Sequence, residues 1–166
     1  IINSNFNEKT VIKNKIISES LSIEWIDTLE KESKVTFSSA FILYENLDYE
    51  KAKDAFMKVL ESTKINEEIN SCNYLIGHCY YLLGELNNAK KYFSYNFTDE
   101  VNKRNALSFR GICELTENKD IGLNYLEEVI KVESHDFAYH NALLNISIYI
   151  QDENPQRAYD LLNKLY

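Results

Sequence analysis

The residues of this sequence that could do chemistry are its histidines, cysteines and carboxylates. Their spacing indicates neither a catalytic site nor a metal site. The imidazoles are His78, His135 and His140. The last two are five residues apart, so on one helix they would lie on different faces and could not form an i, i+4 metal pair. Phosphate-binding, nucleophile-elbow and dinucleotide-binding glycine motifs do not occur. Adjacent carboxylates such as Glu127 and Glu128 are typical of solvated helix faces. We therefore expect no enzyme, no bound metal and no cofactor.

The cysteines point to packing rather than to chemistry. Cys72, Cys79 and Cys113 are odd in number and have no C-x-x-C spacing, which argues against both a disulfide framework and a zinc site. We expect them to be buried as small hydrophobic side chains.

Charge and composition exclude several classes of partner. A net charge of -8 without a basic stripe argues against nucleic acid. No apolar run approaches the ~18 residues that span a bilayer, and the start lacks the features of a signal peptide. These features predict a cytoplasmic protein without membrane contact. The first residue is not Met, which suggests a piece of a longer protein.

The elements that would position any site follow from an internal repeat. Each copy has a small residue, then a second small residue about twelve positions later, then a large apolar residue four positions further on. The clear copies contain Ala40, Ala52 and Phe56, and Gly77, Ala89 and Phe93. Weaker copies contain Gly111, Gly122 and Leu126, with a turn one residue shorter, and Ile146, Ala158 and Leu162, in which Ile146 departs from the small-residue rule. The small residues should allow close helix crossings that the large residues fill.

This pattern resembles the tetratricopeptide repeat (TPR), over about residues 34–166. The resemblance implies an all-α fold, a right-handed α-solenoid of about four TPR-like helix hairpins. The repeats would cover about 34–66, 67–99, 100–133 and 134–166. Predicted helix pairs lie at 34–46 and 49–62, 68–83 and 86–96, 101–116 and 120–132, and 136–151 and 155–165. Residues 1–33 would form an N-terminal tail and a capping helix or half-repeat, carrying the stripe Ile17, Leu21, Trp25 and Leu29.

Two predicted turns support these boundaries. Gly84 can adopt the left-handed conformation that ends a helix. Asn154 followed by Pro155 is typical of a helix start, with a capping side chain before a proline in the first turn. Only one proline and four glycines occur in the chain, which suits long helices joined by short turns.

The resemblance also implies a binding surface, because in this family residues of the first helix of each pair line a concave groove. The matching positions here are Lys34, Phe37, Phe41 and Tyr44; Ser71, Tyr74, His78 and Tyr81; Asn105, Ser108, Ile112 and Leu115; and His140, Leu143, Ser147 and Ile150. The best candidates for protein or peptide contacts are Phe37, Phe41, Tyr44, Tyr74, His78, Tyr81, Ser108 and Ile112. Any one of them could instead pack against the neighbouring helix. The family's clamp for a C-terminal carboxylate is not expected, since its positions hold Ser38, Leu75 and Phe109.

The expected function is that of a non-enzymatic scaffold that binds a protein or peptide in this groove. One alternative is the sensor domain of a peptide-responsive regulator, like the Gram-positive pheromone receptors, without its output domain. Another is a repeat-built enzyme domain. Self-association through an exposed repeat end, or a continuation of the array, is expected from apolar residues Tyr159, Leu161 and Leu162.

Overall fold

The structure, a computed structural model, describes residues 35–165, and the regular secondary structure within that range is all helical. The helices are α1 (Phe37–Glu45), α2 (Tyr49–Ser62), α3 (Asn66–Leu82), α4 (Leu86–Phe93), α5 (Glu100–Leu115), α6 (Lys119–Ile130), α7 (Phe137–Ile150) and α8 (Pro155–Leu162), followed by a 3₁₀ turn (Asn163–Leu165). Every end lies within three residues of its predicted position, so the all-α prediction is confirmed. The predicted capping segment in residues 1–33 and Lys34 lie outside the described residues. None of the helices between residues 35 and 165 has the length and apolar character needed to cross a membrane.

Local sequence sets the helix starts through side-chain caps. Asp99, Asn118, Asp136 and Asn154 each accept a hydrogen bond from the backbone N–H three residues ahead. These bonds satisfy N–H groups that the first turn of a helix leaves without a partner. Pro155 occupies the first position of α8, as predicted.

Two helix ends use the same left-handed turn, but only one of them uses glycine. After α3, Gly84 has φ of 79°, and the Glu85 N–H donates to the Tyr80 carbonyl over 2.8 Å. After α1, Leu47 has φ of 64° and the turn closes with equivalent bonds. The prediction for Gly84 is confirmed. The strained Leu47 was not foreseen, because nothing in its residue type marks a left-handed position.

Each helix packs against the next one in the chain. In addition, α1 packs against α3, α3 against α5, and α5 against α7. Even-numbered helices of the described part make no such contacts with one another. The odd-numbered helices therefore form one continuous layer in which each helix has a neighbour of its own kind.

Small residues lie where the helices of a pair cross, as predicted. A Cβ atom added to Gly77 would lie 2.9 Å from the Phe93 ring, and one added to Gly111 would lie 2.9 Å from Leu126. Ala40, Ala52 and Ala89 are fully buried. At Gly77 and Gly111 even a methyl group would force its neighbour to move.

The fourth helix pair also has a small residue at its crossing, but it is not the predicted residue. The repeat spacing predicts Ile146 at the small-residue position, although its side chain is large. Ser147 is also buried and precedes Ala158 by eleven residues, the spacing that separates Gly111 from Gly122. Ser147 thus fits the small-residue position better, with its hydroxyl donating to the Leu143 carbonyl over 2.7 Å.

All three cysteines are free and buried, which confirms their predicted role in packing. Burial raises the pKa of Cys72 and of Cys79 to about 12 and that of Cys113 to about 11. Each therefore stays a neutral thiol at physiological pH, the unreactive form.

Candidate binding surface

Six aromatic side chains on α1 and α3 form a continuous series, here called the aromatic row. Its members are Phe37, Phe41 and Tyr44 of α1 and Tyr74, His78 and Tyr81 of α3. Centroid distances between consecutive rings are 6.2 Å for Phe37–Phe41, 5.9 Å for Phe41–Tyr44, 5.8 Å for Tyr44–His78, 6.0 Å for Tyr74–His78 and 5.9 Å for His78–Tyr81. All six are half-buried. Each ring thus combines a packed side with a side that faces solvent.

Helical spacing explains why the rings align. On each helix the three rings are at i, i+4 and i+7, positions that share one helix face. The two helices pack against each other, and the Tyr44 hydroxyl lies 2.6 Å from His78 Nδ1. This hydrogen bond joins the halves of the row contributed by α1 and α3.

The aromatic row is uncharged near neutral pH. Burial lowers the pKa of His78 to about 4 and raises the pKa of Tyr44 to about 12. Burial also raises the pKa values of Tyr74 and Tyr81. With His78 neutral and its proton on Nε2, the Tyr44 hydroxyl donates to Nδ1. The row can therefore offer apolar ring surface and neutral hydrogen-bonding groups, but no formal charge.

Phe109 of α5 packs against the α3 half of the row. Its ring centroid lies 4.6 Å from that of His78, 5.1 Å from Tyr81 and 5.6 Å from Phe93 of α4. It is only 4% exposed. Sequence reasoning treated Phe109 only as the residue in place of a clamp arginine and missed its role. The small residues Ala106 and Cys113, three positions before and four after it, are the sequence feature that could have indicated a buried contact.

The structure places Ser108 and Ile112 differently from the six rings. Ser108 is fully buried, and its hydroxyl accepts a hydrogen bond from Asn141 of α7 over 3.3 Å. Ile112 is half-buried and contacts the core on both sides of α5. Ser108 therefore packs α5 against α7 and lies away from the surface of the row.

Several other expected surface positions are also buried. Four predicted groove residues lie in the core: Leu115, Leu143, Ser147 and Ile150. Leu161, expected in an exposed repeat end, is buried too, whereas Tyr159 and Leu162 are exposed. For Leu143, Ser147 and Ile150 the reason is that α7 packs against α5, α6 and α8, so most of its faces have a neighbour.

The histidines of the α7 region form no metal site. His135 precedes α7 instead of lying on it, and its ring centroid is 6.1 Å from that of His140. The prediction that the two share a helix and lie on different faces was wrong. Within residues 35–165, no three potential metal-ligating side chains cluster together.

The described part thus defines an all-α protein in which helices pack pair by pair, with an uncharged aromatic surface on the first two odd-numbered helices. No protein-family model, curated protein or solved structure matches the chain.

Proposed function

We propose that this chain is a non-enzymatic scaffold that binds a protein or peptide on the aromatic row. The observation that carries the proposal is the continuous run of six half-buried rings across two neighbouring helices. Tyrosine and other aromatic residues dominate binding hot spots because they give a large contact area at low conformational cost.

We further infer that the helix pairs form a TPR-like right-handed solenoid. The repeat spacing supports this inference, as do the small residues at the helix crossings and the layer of odd-numbered helices. In such an array the first helices of the pairs line the concave side, which is the side that carries the aromatic row.

The chemistry of the row indicates what its ligand offers. Residues 69–83 contain no Asp, Glu, Lys or Arg, although the chain has a net charge of -8. A charged group docked here would lose hydration without gaining an opposite charge. The ligand is therefore a segment with apolar side chains beside backbone or side-chain groups that hydrogen-bond to Tyr and neutral His.

Selection of a displayed random peptide library on the immobilised chain would test the proposal. A recovered peptide is synthesised and titrated by calorimetry against the parent, Phe41→Ala and Tyr81→Ala. We expect each substitution to weaken binding by about 1–3 kcal/mol, as at other aromatic hot spots. Tyr159→Ala is the matched control, because Tyr159 is a 62% exposed tyrosine on α8.

Stability must be measured beside affinity, since Tyr81 also packs against Phe109. Titrations are run well below the melting temperature of each variant. If both row variants bind like the parent, or if Tyr159→Ala weakens binding as much as they do, the aromatic row is not the site.

A further inference from the structure

The exposed face of α7 is an apolar feature that the aromatic row does not explain. Phe137, Leu144 and Ile148 are 58%, 43% and 50% exposed, and their spacing of i, i+7 and i+11 places them on one helix face. A pocket of about 400 Å³ opens on this face. Its lining residues are Phe137, His140, Asn141, Leu144 and Leu165.

The same positions are partly or fully covered by the next odd-numbered helix in α3 and α5. In α3, Tyr74 and His78 lie three residues before and one after Gly77, and both rings contact Phe109 of α5. In α5, Ser108 and Ile112 have the same positions around Gly111. Ser108 is covered by α7, as its hydrogen bond to Asn141 shows.

In α7 the corresponding residues are Leu144 and Ile148, three before and one after Ser147. They remain exposed. The exposed face of α7 therefore corresponds to the face of α3 that packs against α5 and to the face of α5 that packs against α7.

Three helices of the described part cover such a face, and two of them, α3 and α5, share a pattern that indicates what fits it, whereas α7 has Ala142, Asn145 and Tyr149 at the matching positions. The residues that α5 turns toward α3 and α4 are Ala106, Phe109 and Cys113, a small, a large and a small side chain at i, i+3 and i+7. In α3, Cys72, Leu75 and Cys79 repeat this order at the same spacing, and all three are buried. Small residues on both sides of a large one let the helix axes approach while the large side chain enters the gap.

The absence of charged residues on α7 also limits which partners can bind there. Residues 137–150 contain no Asp, Glu, Lys or Arg, and interface cores are depleted in charged residues. We propose that the α7 face binds an amphipathic α-helix of a partner protein. This helix carries an uncharged small–large–small stripe at i, i+3 and i+7, with its large apolar side chain in the pocket. Leu144 and Ile148 match Tyr74 and His78 of the aromatic row in position, and Phe137 stacks on Phe109 with ring centroids 6.0 Å apart, but the proposal does not rest on the function assigned to the row.

A peptide from this chain is a direct probe, because α5 already presents the stripe. A peptide with the sequence of residues 99–116, carrying Cys113→Ala against oxidation and a fluorescent label, is titrated with the full chain by anisotropy. We expect saturable binding that Leu144→Glu and Ile148→Glu each weaken at least about tenfold, since each places a charge in an apolar contact. Ile121→Glu is the matched control on α6, at 44% exposure in the parent, and should change binding less than about twofold.

Three further measurements decide the outcome. The peptide with Phe109→Glu should not bind, and Tyr81→Ala in the chain should bind the parent peptide normally, which separates this surface from the aromatic row. Absence of saturable binding, or equal binding by the Leu144, Ile148 and Ile121 variants, would overturn the proposal. So would a dimer in sedimentation that Leu144→Glu dissociates, because a second copy of the chain would then be the occupant.

Discussion

The imidazole of His78 lies among the rings of Tyr44, Tyr74, Tyr81 and Phe109. Burial lowers its pKa to about 4, from an ordinary value of 6.5. The unfolded chain therefore takes up a proton near pH 6.5 that the folded chain does not bind until about pH 4. Stability conferred by neutral His78 is fully present above pH 6.5 and falls as the pH drops toward 4.

Our first prediction is that the free energy of unfolding decreases by about 1–2 kcal/mol between pH 7 and pH 4.5. This is less than the full linkage value, because the ring is half-buried. Urea titrations at several pH values measure the change. The His78→Gln variant has no titrating group at this position, so its free energy of unfolding should change less across this pH range. An equal slope in parent and variant would assign the effect to other groups.

Leu47 supplies the second prediction at this scale. Its backbone is in the left-handed region, which costs a side chain other than glycine about 1–2 kcal/mol. It is strongly exposed, so little apolar burial would be lost by replacing it. Leu47→Gly should stabilise the protein by about 0.5–1 kcal/mol, after subtracting the greater freedom of glycine in the unfolded chain.

Gly84→Ala is the reciprocal variant. Nothing lies within 4 Å of the added Cβ, so any loss of stability comes from its positive φ alone. Thermal unfolding of both variants should show opposite shifts. A lower melting temperature for Leu47→Gly would show that the Leu47 side chain contributes a contact worth more than the strain.

At the scale of the helices, stability depends on how closely their backbones approach. A Cβ atom on Gly122 of α6 would lie 2.6 Å from the backbone N of Leu115 in α5. On Gly111 it would lie 2.9 Å from the Leu126 side chain and 3.1 Å from the backbone O of Gly122. The backbone contact is therefore much tighter at Gly122, and a backbone atom moves only if the helices separate.

The third prediction is therefore that Gly122→Ala destabilises more than Gly111→Ala. We expect about 2–3 kcal/mol for Gly122→Ala and about 1 kcal/mol for Gly111→Ala, although alanine favours isolated helices. Denaturant unfolding measures both. Asn124→Ala, at an exposed position of α6, is the control and should be neutral within about 0.5 kcal/mol. Equal losses at the two glycines would mean that α5 and α6 separate easily.

At the scale of the whole described part, contacts are near-neighbour contacts. No helix between residues 35 and 165 packs against a helix more than two positions along the chain. Disturbance at one end should then weaken with distance, as in proteins whose units contact only adjacent units.

The fourth prediction uses Ala158→Asp, which places a carboxylate in the buried contact of α8 with the core around α7. Hydrogen exchange should accelerate at least about tenfold in α7 and α8 and change less than about twofold in α1 and α2. Mass spectrometry of peptic fragments gives both values in one experiment. Uniform acceleration would show that the described helices open as a single unit.

The sequence by itself determined most of the local structure. Helix ends follow from capping side chains such as Asn154 and from Gly84, because these residues satisfy backbone groups or adopt φ values that others avoid. The small residues at the crossings could also be predicted, since their period is a property of the chain. The TPR resemblance remains a prediction.

Only the tertiary structure decided which predicted faces are covered. Periodicity placed Tyr74, Ser108 and Leu143 on comparable faces of three helices. The structure buries Ser108 and Leu143 fully and leaves Tyr74 half-buried over Phe109, while Leu144, the residue next to Leu143, is exposed. Helical spacing fixes which residues share a face, but the neighbour that packs there comes from elsewhere in the chain. Burial of a face is therefore a property of the assembled helices and not of any one of them.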